Sequence, residues 1–79
     1  METREILERI VKERERQNNL FKEQNHSKDR WCVILGEEYG EVCKANLEND
    51  EGGYIEELVQ TAAVCVAAIE SFYRTKVDK

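Results

Sequence analysis

Apolar residues recur along this chain at spacings of three and four, so the pattern predicts helices throughout and no strands. Over residues 31–47, Trp31, Ile34, Leu35, Val42 and Ala45 make one helical stripe. At about 100° per residue, Glu38 falls within about 20° of Trp31, in the middle of that stripe, and Glu41 lies at its edge one turn on. An ionised carboxylate facing a core costs several kcal/mol or more unless it is paired, protonated or bound to a cation. The pattern therefore requires a compensating partner, and a hard divalent metal is the nearest candidate.

Two further helices follow from the same periodicity. The first covers about residues 3–22, with Ile6, Leu7, Ile10 and Val11 on one face; its first 16 residues hold five acidic and five basic side chains, the mark of a solvated surface. Asn18 and Asn19 are expected to fray or bend it, leaving a short fourth helix around Leu20 and Phe21. Ser27 is placed to N-cap the second helix, which runs to about Asn49. Residues 49–53, Asn-Asp-Glu-Gly-Gly, read as a turn, and the third helix is expected from about Tyr54. In that helix Ile55, Leu58, Ala62, Cys65, Ile69 and Phe72 form one stripe, and Val64, Ala67 and Ala68 lie opposite. Burial nearly all round is expected, one face on its own subunit and the other on a partner subunit. Glu57 and Gln60, three apart, project from the alanine-lined side.

Composition narrows the setting. Seventy-nine residues make one domain, 1–79, near the lower limit at which a single core supports itself, so self-association is expected. Three cysteines without metal-site spacing do not form a disulfide framework, and the longest uncharged run, residues 58–69, is too short for a membrane span. With no leader pattern at its start, the chain is expected to be soluble, reduced and cytoplasmic. Net charge is −5, and residues 37–57 carry eight acidic side chains against Lys44 alone. Such a surface repels phosphate backbones, so no direct nucleic-acid binding is expected, while a phosphorylated small ligand could still bind through metal.

The residues thus give two helices, each with a polar pair at i and i+3, separated by a glycine-containing turn. Inward carboxylates on facing helices are how helical bundles build metal sites, and a magnesium site of this kind keeps positions for water and substrate phosphate. The run Trp31-Cys-Val-Ile-Leu-Gly-Glu-Glu-Tyr-Gly-Glu41-Val, followed by Glu56-Glu57-Leu-Val-Gln60 and an alanine-rich helix, resembles the MazG-like all-α nucleoside triphosphate pyrophosphohydrolases over about residues 26–73. The resemblance implies an all-α helical bundle completed by dimerisation or tetramerisation. It implies Mg²⁺-dependent cleavage of dNTPs or NTPs to monophosphate and pyrophosphate, with Mn²⁺ as an alternative ion, in a housecleaning or pool-control role. Matched by position, Glu38, Glu41 and Glu57 would hold the metal, Glu38 or Glu41 would orient the attacking water, and Gln60 stands where the family pattern has aspartate. A neutral amide coordinates through its oxygen but removes one negative charge, which weakens metal affinity. The chain is also short for the family, with residues 74–79 expected to fray, so part of the pocket is expected from a neighbouring subunit.

Lys44, one turn beyond Glu41, is a candidate phosphate contact, with a solvated lysine as the alternative. Trp31 is a candidate for stacking on a base, although a lone tryptophan in an apolar stripe usually packs in the core. His26 is a candidate loop ligand for phosphate, although one histidine in a polar linker is usually just exposed. Two other functions stay open on the residues alone. One is a weakened relative that binds a nucleotide or a protein without turnover. The other is a helical oligomerisation module in which Glu38 belongs to a buried ion pair with Arg9 or Arg14.

Overall fold

The computed structural model describes residues 1–76 and contains three helices: α1 (Thr3–Phe21), α2 (Lys28–Leu47) and α3 (Glu51–Lys76). No strand occurs among the described residues. α3 is the central element. α1 and α2 both pack on it and do not pair with each other, which leaves a groove between them with α3 as its floor.

The helix ends differ from the sequence expectation in instructive ways. α1 runs straight through Asn18 and Asn19 to Phe21, so no fourth helix forms; it stops at Lys22, whose positive φ of 61° turns the chain while its N–H donates to the Asn18 carbonyl at 2.8 Å. Ser27 caps α2 as expected, its Oγ accepting from the Arg30 N–H at 3.1 Å. α2 ends at Leu47, two residues early. Asn49 takes the left-handed conformation (φ 57°), its N–H donating to the Asn46 carbonyl at 3.2 Å while the Asp50 N–H donates to the Ala45 carbonyl at 2.9 Å. Those two bonds satisfy orphan carbonyls of α2 in a turn so short that glycine is not needed in it. Both glycines are therefore released into α3, which starts at Glu51 with Asp50 as its cap: the Asp50 carboxylate accepts from the Gly53 N–H at 2.9 Å. A Cβ at Gly53 would lie 2.3 Å from Asp50 Oδ2, so the cap itself favours glycine there. At the other end α3 stays helical through Lys76; the expected fraying at residues 77–79 lies outside the described residues.

The core is small. Trp31, Val64 and Ala67 form its centre, with Ile34, Leu35 and Ala68 packed against them, while Val42, Ala45 and Ala63 are buried beside it. Within the single chain α3 is buried on one side, and burial of the other depends on the partner subunit that the sequence pattern invoked. It presents its small-residue side (Ala63, Val64, Ala67, Ser71) inward and leaves Ile55, Leu58, Ile69 and Phe72 between 40 and 59% exposed. Alanines let the helix backbones approach closely, and both packing helices take that side. α1 shows the same inversion: Leu7 and Val11 are exposed, and the half-buried positions are Arg9, Ile10, Glu13, Arg14 and Gln17. Arg14 joins α1 to α3 through Glu70 at 2.8 Å.

The linker between α1 and α2 is tied to α3 by polar contacts. The fully buried Ser71 accepts from the His26 N–H at 3.3 Å, and Arg74 donates to the Asn25 side chain at 2.9 Å and the Gln24 carbonyl at 3.1 Å. His26 is consequently half-buried rather than exposed, with its ring edge-on to Trp31 at 4.9 Å between centroids.

Candidate functional site

The groove between α1 and α2 has a volume of about 310 Å³. Arg30, Ile34 and Glu38, spaced four apart on α2, form one wall together with Trp31. Arg14, Gln17 and Phe21 form the α1 wall, and Val64 and Ala67 of α3 form the floor. Glu38 is thus half-buried in a groove, at the place its position in the apolar stripe implied.

No salt bridge or hydrogen bond to Glu38 occurs among the described residues, and both arginines considered as its partner are placed otherwise. Arg14 pairs with Glu70, and Arg9 lines a separate crevice between α1 and α3. Instead, Glu38 is surrounded by like charge. Its carboxyl titrates above the ordinary glutamate range, first because burial disfavours the anion and then because Glu57, Glu41, Glu13 and Glu37 repel it. Carboxylates from all three helices therefore act on Glu38: Glu37 and Glu41 from α2, Glu57 from α3 and Glu13 from α1.

Glu13 is the contributor missed in the sequence. Its carboxylate is held by Arg16 through two bonds of 2.8 Å and by the Gln17 amide at 3.0 Å, and these partners keep its pKa below the ordinary range despite partial burial. The signal was present: Ile6, Ile10, Glu13 and Gln17 continue one helical face, so Glu13 interrupts an apolar stripe on α1 as Glu38 does on α2.

The other sequence candidates separate. Glu57 is half-buried on α3 and its charge reaches Glu38; Glu41 is exposed and acts on Glu38 from the next turn of α2. Gln60 lines the α1–α3 crevice beside Glu13 and Arg16, and its backbone carbonyl accepts from the Gln17 amide at 3.4 Å. Lys44 is exposed in the last turn of α2 and does not line the groove. Trp31 packs in the core at 8% exposure, with its indole N–H buried and without an acceptor among the described residues.

As a donor set, Glu38, Glu41 and Glu57 suit a hard divalent cation: oxygen ligands on rigid elements, with Glu38 raised in pKa by burial and by the charges of the other two. In the conformation described, no three acidic, histidine or cysteine side chains among the described residues converge to ligating distance of a common point. The donor types fit a metal, and they are not gathered around one point in this conformation.

No family model, curated protein or solved structure matches the chain. No helix among the described residues is long and apolar enough to cross a membrane.

Proposed function

We propose that the protein is a Mg²⁺-dependent nucleoside triphosphate pyrophosphohydrolase, with Mn²⁺ as a substitute ion. The observation that carries this reading is Glu38: a half-buried carboxylate with no cationic partner, raised in pKa by burial and by carboxylates from all three helices, opening into a groove. The ion-pair alternative would place Arg9 or Arg14 against it, and neither pairs with it. The MazG-like resemblance of residues 31–60 supports the same chemistry.

In this reading Glu38, Glu41 and Glu57 hold the metal, with the Gln60 amide oxygen as an additional ligand if its side chain turns from the α1–α3 crevice. The bound ion would supply charge neutralisation for the phosphates. The chain's own contribution is to orient water toward the α-phosphorus: a P–O bond forms there, the bond to the bridging oxygen breaks, and pyrophosphate leaves with the electron pair. Glu38 or Glu41 would orient that water and receive the proton it loses. The exposed apolar stripe of α3 (Ile55, Leu58, Ile69, Phe72) is assigned to a second copy of the chain in a dimer or tetramer.

A second reading is favoured by Gln60, which replaces a charged ligand and lies in the neighbouring crevice. It is a nucleotide-binding relative without turnover. Incubation with Mg²⁺ or Mn²⁺ and a panel of dNTPs and NTPs, with pyrophosphate and monophosphate quantified, separates the two. Turnover that disappears in Glu41→Gln supports the enzyme. Nucleotide-dependent thermal stabilisation without turnover supports the binding protein, and neither response refutes both.

A further inference from the structure

The cations of the Glu38 groove are not those the sequence pointed to. Lys44 lies outside it, whereas Arg30, Lys22 and Arg14 line it, three cationic side chains against the single carboxylate of Glu38. This is a local reversal in a chain of net charge −5. Arg14 is committed to Glu70, but neither Arg30 nor Lys22 forms an ion pair among the described residues. Arg30 stands on the same wall as Glu38, eight residues or about 12 Å back along the α2 axis, in the first turn of the helix, where the helix dipole adds further positive potential. Lys22 is held at the same end of the groove by the turn that stops α1.

We infer that Arg30 and Lys22 form an anion-binding end of the α1–α2 groove that receives the polyphosphate arm of the ligand, with Glu38 at the opposite end. Two cations without ion-pair partners, lining one concave and partly apolar groove, gain little from one another and much from a multivalent anion bound in it. Arg30 supplies a planar fork for two phosphate oxygens and Lys22 a point charge. At about 310 Å³ the groove lies at the small end of ligand cavities, which suits a polyphosphate chain rather than an entire nucleotide. The inference rests on the proposed function for the identity of the anion, but not for the existence of the site.

The test is calorimetric titration of the full chain, in chelator and without divalent metal, with inorganic tripolyphosphate and separately with a deoxynucleoside triphosphate. Arg30→Gln and Lys22→Asn are the variants, asparagine being chosen because it tolerates the positive φ at position 22. Lys44→Gln is the control. Each groove variant should weaken tripolyphosphate binding about tenfold, as expected for loss of a charge-assisted hydrogen bond, with the melting temperature retained. Lys44→Gln should stay within about twofold of wild type. The inference is overturned if wild type binds neither anion, if the groove variants bind tripolyphosphate as wild type does, or if Lys44→Gln loses as much as they do. Failure of the catalytic reading looks different: tripolyphosphate binding that depends on Arg30 and Lys22, in a protein that turns over no nucleotide.

Discussion

Replacing Glu38 by glutamine should stabilise the fold while removing its proposed function. The amide keeps the side chain's size and removes a charge that is partly buried and faces Glu57, Glu41, Glu13 and Glu37. One like-charged pair a turn apart on a helix costs about 0.2–0.5 kcal/mol. Because the carboxylate opens to solvent in the groove, screening limits the sum with partial burial to roughly 0.5–1 kcal/mol. For a domain of this length that corresponds to a rise of about 2–8 °C in melting temperature. The pH dependence follows from linkage. Glu38 has a higher pKa folded than unfolded, so the folded state holds the proton more tightly, and stability falls as pH rises from the ordinary glutamate range through the raised folded value. The variant lacks that fall. Its advantage should be absent in acid, where Glu38 is protonated in both states, grow through that window and be complete at neutral pH. Thermal melts followed by circular dichroism in chelator, from acid to neutral pH, measure it. A variant less stable than wild type at neutral pH, or a gain of equal size in acid, would refute the placement of Glu38 as an unpaired charge among carboxylates.

Further outcomes follow from the packing. Ala63 is fully buried where α3 meets its neighbours, so Ala63→Leu should cost about 1–3 kcal/mol through overpacking, read by chemical denaturation. Gly52→Ala should stabilise α3 by about 0.5–1 kcal/mol, since a Cβ there meets only Asp50 Oδ1 at 4.0 Å; Gly53→Ala should gain less or lose, because its Cβ displaces the Asp50 cap. Equal effects at the two glycines would show that the cap contributes nothing.

The sequence was most legible where one residue broke a clear pattern. Glu38 was found because a carboxylate in an apolar stripe has few physical explanations, and the Ser27 cap because a short hydroxyl before a periodic run has one common use. The α2–α3 turn was misread because asparagine took the left-handed role usually given to glycine, freeing Gly52 and Gly53 for the helix. The faces of α3 were identified, but periodicity alone does not say which of two apolar sides a small domain buries; close approach of backbones selected the alanine side. Glu13 was overlooked because the alternating charges of α1 resembled a solvated surface, when one of them sits on the inner face. Lys44 lies outside the groove for a geometric reason: one turn beyond Glu41 leads away from it, and the cations that line it, Arg30, Arg14 and Lys22, come from the start of α2, from α1 and from the turn after α1.

The claim that these carboxylates form a cation site is tested most directly by titrating Mn²⁺ into wild type and Glu38→Gln at neutral pH, with bound ion measured by electron paramagnetic resonance and nucleotide both absent and present. Mn²⁺ should bind wild type, more strongly with nucleoside triphosphate, and bind the variant about tenfold or more weakly, as for loss of one charged ligand. Equal Mn²⁺ binding by the two proteins, or none by wild type with any nucleotide, would contradict that claim.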